Sequence, residues 1–180
     1  MGTLRIGLLI PPPNVVMEPE FREILPPHIT IHATRISRST DKATIDSLLE
    51  MERNTEEAAR LLAMTQADVI IFGCTSGSFI RGVGWDKQII ERIAGVTPIP
   101  AITTSTAVIE ALKALSIKKV AVLTPYIEEV NERAKGFLEG NGFQVLNIAG
   151  MGISDSPKIA DVPMSEVYRL ALQTNNKEAD

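Results

Sequence analysis

The single cysteine of this 180-residue chain lies in the stretch VIIFGCTSGS, residues 69–78. Four apolar residues run there into a glycine, the Cys74 thiol, two hydroxyls and a second glycine. A thiol beside hydroxyls and turning backbone amides suits attack on, or proton transfer to, a small anionic substrate. The segment Thr75-Ser76-Gly77-Ser78 can turn its N–H groups toward a carboxylate without help from any lysine. Amides and a helix terminus also lower a thiol's pKa, so Cys74 is expected nearer its reactive form. An isolated free cysteine is more often a buried, inert residue. The glycine and hydroxyl context is what points to chemistry here.

Two further candidates follow other strand-like runs. Asn14 ends PPPN after the first run, and its amide can donate two N–H bonds to a carboxylate or serve as a helix cap. Tyr126 follows LTP after a later run; its hydroxyl can meet a carboxylate or a developing enolate oxygen, or simply sit at the core's edge. Other polar groups read as structural. His28 and His32 lack metal-ligand spacing with cysteines or carboxylates. Gly82 and Gly84 in RGVGWD have no strand immediately before them and no third glycine, so they make no dinucleotide fingerprint. Arg81 reads as a surface arginine before it reads as an anion guide.

These residues need a scaffold that brings strand ends together. Apolar runs at Leu4–Ile10, Ile29–Ile36, Val69–Phe72, Ile99–Ile102, Lys119–Leu123 and Phe143–Ile148 predict strands. Helical spacing fills the gaps: Asn14–Ile24, one long helix over about Thr44–Thr65, Trp85–Ala94, Thr106–Leu115 capped by Ser105, Ile127–Gly140 and Ser165–Gln173. Continuous apolar strands alternating with helices predict an α/β fold with parallel sheets, where ligands bind beyond the carboxyl ends of the strands.

The plan also repeats. RIGLLIPPPNVVMEPEF and KVAVLTPYIEEVNERAKGF share a strand, a proline turn and a helix. ITIHATRIS then parallels FQVLNIAGMGIS, and the Ala67-Asp68 that precedes the cysteine strand parallels Ala179-Asp180. Two pseudo-symmetric lobes are expected, residues 1–115 carrying the cysteine and residues 116–180. The second reads as incomplete, because the counterpart of VIIFGCTSGS would fall beyond Asp180.

Bulk composition narrows the function classes. A net charge of −4 leaves no basic footprint for nucleic acid, and any anionic substrate must be held by local donors. No apolar run approaches the ~20 residues that span a bilayer. One cysteine excludes an internal disulfide and fits a reducing cytoplasm.

PPPNVVMEPEF, GCTSGSFIRG and TPYIEEVNER together resemble signatures of the maleate cis–trans isomerase and arylmalonate decarboxylase branch of the aspartate/glutamate/hydantoin racemase superfamily. The similarity runs in order through essentially the whole chain. It implies two α/β lobes with the active site between them, each lobe offering one cysteine position. Isomerases carry cysteine at both, whereas decarboxylases have glycine at the first; Cys74 at the first favours an isomerase or racemase. By the same resemblance Cys74 is the nucleophile, Tyr126 and Asn14 hold substrate carboxylates, and Thr75 and Ser76 hold the other end. Isomerases place an asparagine where Ser156 stands in Ile153-Ser154-Asp155-Ser156, and serine reaches less far with one donor instead of two.

The reaction this implies is covalent cis–trans isomerisation of a small dicarboxylate through an enediolate, with no cofactor and no metal. A racemase or decarboxylase acting through an enolate is the alternative within enzymes. A non-catalytic dicarboxylate-binding protein is the alternative outside them. The resemblance further implies a homo-oligomer, a dimer or larger, and the cytoplasmic expectation rests on the single cysteine.

Overall fold

The sequence begins its structure with LRIGLLI, strand β1 (Leu4–Ile10), whose last five residues are fully or nearly fully buried, as a central parallel strand requires. The computed structural model describes residues 3–180; the first two positions of the expected first lobe lie outside the described residues. Helix α1 (Met17–Ile24) leads to β2 (Ile29–Arg35), which pairs parallel to β1 in the register Leu4↔Ile29 to Ile10↔Arg35. The other edge of β1 carries β3 (Val69–Phe72), and β4 (Ala101–Thr103) lies beyond it. The sheet order is therefore β2-β1-β3-β4, and β1 and β3 are its inner strands.

The long helix expected over Thr44–Thr65 is two helices, α2 (Ile45–Arg53) and α3 (Thr55–Ala63). Asn54 stands at the break with φ −95° and ψ 1°, and its side-chain amide donates to the Ser37 carbonyl at 2.7 Å. Asparagine competes with helical backbone bonds, and here its amide serves a neighbouring segment instead. Thr44 and Ser47 form a reciprocal capping box at the start of α2. After β3 come α4 (Thr75–Phe79), a short helix in a stretch expected to be a loop, and α5 (Trp85–Ala94). Helix α6 (Thr104–Ala114) is capped by Thr103, whose hydroxyl accepts from the Thr106 N–H at 3.0 Å; the expected cap, Ser105, lies inside the helix.

A second sheet begins at β5 (Lys119–Thr124), continues through α7 (Glu128–Gly140) and returns in β6 (Gln144–Gly150), parallel to β5. Helices α8 (Ser156–Ala160) and α9 (Met164–Thr174) follow; α8 is too short to have left a periodic signal. The architecture is α/β with two parallel sheets, as expected. The repeat has a structural counterpart as well. Arg5 donates its N–H to Asp68 Oδ2 at 2.8 Å and accepts from the Asp68 N–H at 2.8 Å. Lys119 donates to Asp180 Oδ2 at 2.8 Å and accepts from the Asp180 N–H at 3.1 Å.

The core is built on both faces of the first sheet. Leu9, Ile70 and Phe72 pack with Leu48, Met51, Leu62, Trp85 and Ile93 on one side, while Ile6, Leu8 and Ile10 meet Met17 and Phe21 on the other. Phe79 of α4 and Ile109 of α6 belong to the second core, with Val130, Ala134 and Phe137 of α7. The helix that follows the cysteine is thus shared between the sheets. Among the described residues, no helix is long and apolar enough to cross a membrane.

Candidate active site at the end of β3

Strand β3 delivers Gly73 and Cys74 to the rim of the sheet, and Gly73 donates to the Leu9 carbonyl at 2.7 Å. A Cβ at Gly73 would lie 2.7 Å from Ile10 Cγ2 and would collide with the Met17 thioether, so only glycine fits against α1 here. Cys74 has extended backbone angles, φ −138° and ψ 99°, and caps α4 with its own sulfur. The Gly77 N–H donates to Cys74 Sγ at 3.4 Å, and Ser76 Oγ stands 3.8 Å away.

The loop's other hydroxyls are structural struts. Ser78 and Ser105 bond one another at 2.7 Å, and both reach the Thr75 carbonyl, at 2.9 and 3.1 Å. Trp85 Nε1 donates to the Gly77 carbonyl at 3.1 Å. These bonds fix α4 from three sides, so the loop that carries Cys74 is held before any ligand arrives. Arg81 is part of the frame too: it pairs with Glu52 at 3.0 Å and lies over the Trp85 ring, 4.9 Å from its centroid.

Cys74 is buried, 7% exposed, yet it lines a cavity of about 180 Å³. The same cavity is lined by Asn14, Thr75, Ser76, Tyr126 and Ser156, so all six residues singled out in the sequence converge on it. They come from the ends of β1, β3 and β5 and from the start of α8. That is where ligands sit in open parallel sheets. The volume suits a small metabolite. His28 and His32 are not among its lining residues; His28 is exposed and the His32 ring meets Thr30 Oγ1 at 3.1 Å.

Asn14 takes up the structural one of its two expected uses. Its Oδ1 accepts from the N–H groups of Val16 and Met17, at 3.2 and 3.1 Å, and steadies the entry to α1. The amide nitrogen carries neither bond. Tyr126 is positioned through its backbone: its N–H donates to Thr124 Oγ1 at 3.1 Å, and that hydroxyl in turn donates to the buried Asn131 side chain. The Tyr126 ring meets Phe79 edge-on at 5.9 Å between centroids. Its hydroxyl is held well above the ordinary phenol range, first by burial and then by the nearby Cys74, with Ser76 and Thr75 working against the shift. A phenol that stays protonated is a hydrogen-bond donor.

The thiol departs from expectation. Burial pushes the Cys74 pKa up, and the opposing pulls of the Gly77 N–H, the Ser76 hydroxyl and the Arg38 charge do not reverse it. The amides expected to favour the thiolate are present, but the desolvation of a sulfur packed under Leu48 and Met51 outweighs them. Arg38 itself was not apparent in the sequence. It lies three residues beyond the end of β2 and lines the cavity. The strand-end rule that located Asn14 and Tyr126 applies equally to the segment RISRST.

Over residues 6–180 the chain matches the family described as arylmalonate decarboxylase. A maleate isomerase from Nocardia farcinica (strain IFM 10152) is 26% identical over 189 aligned residues, covering 100% of this chain and 74% of that protein. The arylmalonate decarboxylase of Bordetella bronchiseptica is 28% identical over 172 residues, covering 96% and 70%. Among solved structures, a variant of the maleate isomerase Iso from Pseudomonas putida S16 with maleate superimposes with a TM-score of 0.91 at 26% identity. That superposition covers 98% of this chain and 75% of the other. The chain spans 66% of the length of a second maleate isomerase, from Pseudomonas putida KT2440. A match over nearly every residue, a shared fold and a cysteine at the rim of the sheet lead to one assignment: the chain belongs to the arylmalonate decarboxylase family, which it shares with these relatives.

Proposed function

We propose that the protein is a maleate isomerase-like enzyme that converts a small cis-dicarboxylate to its trans isomer by covalent addition of Cys74. The observation that carries this reading is the contact of a buried but cavity-lining thiol with a set of neutral donors. In this reading Tyr126 and Asn14 hold one carboxylate, and the Thr75–Ser76 turn and Ser156 serve the rest of the substrate.

The Cys74 thiolate adds to one alkene carbon, forming a C–S bond. The π electrons move to the other alkene carbon and onto the carboxylate it bears, giving an enediolate, and the former double bond becomes free to rotate. After rotation the electrons return, the C–S bond breaks, and the trans alkene leaves with the thiolate restored. Each neutral donor aimed at the developing charge contributes about 3 kcal/mol in comparable sites. The elevated Tyr126 pKa suits that task, because the phenol keeps its proton beside an oxyanion.

A second reading is favoured by one observation. Burial holds the proton on Cys74, which suits an acid that protonates an enolate, as a racemase or decarboxylase requires. Turnover of maleate, followed by loss of its absorbance, and of phenylmalonate, followed in deuterated water, separates the two. Isomerisation without deuterium at carbon supports addition and elimination; decarboxylation with deuterium uptake supports the acid. Stabilisation by a diacid with neither reaction supports a binding protein.

The reading includes two lobes, 1–115 and 116–180, and a cytoplasmic homo-oligomer of at least two chains. The single thiol supports the compartment. Exposed Met164, Tyr168 and Leu172 on α9 support association, which gel filtration with light scattering measures.

A further inference from the structure

Among the described residues, Arg38 is the one cationic side chain on the wall of the Cys74 cavity. Its Nη2 donates to Ser156 Oγ at 2.9 Å and to the Asp41 carbonyl at 3.1 Å. Its Nε is buried and has no partner among the described residues. Elsewhere in the molecule Arg92 pairs with Glu52 and Glu56 and the more exposed Arg81 pairs with Glu52, while half-buried Arg5 reaches the neutral Gln66 Oε1 at 3.4 Å. Among the described residues, no carboxylate lies within ion-pairing distance of Arg38. Asp41 and Glu50 act on the guanidinium only through space, so it is drawn partly out of water without a direct ion pair, and a buried N–H without a partner adds to the cost. The missing ion pair is supplied by the arrival of an anion in the cavity that Arg38 lines.

The segment that holds Arg38 is firmly placed. Ser156 donates its N–H to the Asp41 carbonyl at 3.1 Å, and Ala43 donates to the Ser154 carbonyl at 2.7 Å. Lys42 and Lys158 both reach Asp155, at 3.7 and 3.2 Å. The turn after β2 and the entry to α8 are therefore laced together, with the guanidinium between them and the cavity. Ser156, the residue that stands where an asparagine is expected, is engaged by Arg38. The donors that serine lacks are present on the arginine.

We propose that Arg38 binds the second anionic group of the substrate and restricts the site to small molecules with two acidic groups, with Ser156 as its positioning residue. Resting on the functional reading above, this assignment deepens it: one carboxylate lies with the neutral donors around Tyr126, and the other forms an ion pair with the guanidinium. Arginine suits the task because its planar fork matches a carboxylate and it stays charged when desolvated.

The test is calorimetric binding of maleate and of monomethyl maleate, which carries a single carboxylate, to the protein and to Arg38→Gln, Arg38→Lys and Ser156→Ala. The parent is expected to prefer the diacid. Arg38→Gln weakens diacid binding roughly tenfold to a hundredfold, as for a charge-assisted bond, and leaves the monoester within about threefold. Arg38→Lys restores part of the preference, and Ser156→Ala reduces it less than Arg38→Gln does. Should Arg38→Gln fail to fold, the lysine and alanine variants carry the same comparison. Equal loss for both ligands, no loss for either, or no binding of maleate, succinate or phenylmalonate by the parent would overturn the assignment. Arg38-dependent binding without isomerisation removes the isomerase reading and keeps the assignment. Isomerisation with the same diacid preference in the parent and Arg38→Gln does the reverse.

Discussion

Gly77 donates its backbone N–H to the sulfur of Cys74 at 3.4 Å, three residues along the helix that the cysteine caps. A Cβ on Gly77 would sit 3.1 Å from that sulfur and 2.9 Å from Met51 Cε. The bond and the missing side chain are two aspects of one arrangement, in which the thiol is buried by α2 and still open to the cavity.

Gly77→Ala is therefore expected to disturb the sulfur before it disturbs the fold. Overpacking at a filled site costs about 1–3 kcal/mol. A moderate fall in melting temperature should accompany a larger fall in kcat for maleate. Unchanged kcat with lowered stability would show that the sulfur's position is not critical.

Cys74→Ala should abolish turnover, and Cys74→Ser should leave at most a trace, because an alkoxide is a far less available nucleophile at neutral pH. Both variants should fold, since the bonds that hold α4 run through Ser78, Ser105 and Trp85. Loss of maleate absorbance and a melting curve check the two statements separately.

Burial favours the neutral thiol, so thiolate formation in the folded protein requires a higher pH than for an exposed cysteine. Alkylation by iodoacetamide should rise with pH and reach half its maximum above the ordinary thiol value of about 8.5. Linkage gives the matching sign for stability. A folded-state pKa above the unfolded one contributes stability that is complete below the unfolded value and is lost as pH climbs through the folded value. Removing Arg38, whose charge favours the thiolate, should move the alkylation curve further up. A half-point at or below the free-cysteine value would contradict this account of the sulfur.

Tyr126→Phe keeps the edge contact with Phe79 and deletes only the hydroxyl. A fall in kcat of about a hundredfold is expected, in line with removal of one oxyanion donor. KM should change much less. A pure KM effect would make Tyr126 a binding group only.

Much of the site was legible because its residues follow strands. VIIF is a continuous apolar run that reads as an inner parallel strand, and it places Cys74 at the rim. The proline turns after β1 and β5 place Asn14 and Tyr126 at the same end, and the internal repeat shows that those turns correspond. What escaped depends on tertiary neighbours. The break at Asn54 is set by the Ser37 carbonyl, a contact between segments far apart in the chain. The rise in the Cys74 pKa comes from α2 packing over the loop, which no local pattern encodes. Arg38 looked like one charge among several in RISRSTDK until the α8 entry enclosed it.

The most direct test of covalent catalysis is mass spectrometry of protein mixed with maleate, quenched in acid and digested. A trapped adduct equal in mass to one maleic acid, confined to the peptide that contains Cys74 and absent from Cys74→Ser, is the predicted result. Maleate turnover by Cys74→Ala, or an adduct that maps elsewhere, would contradict it.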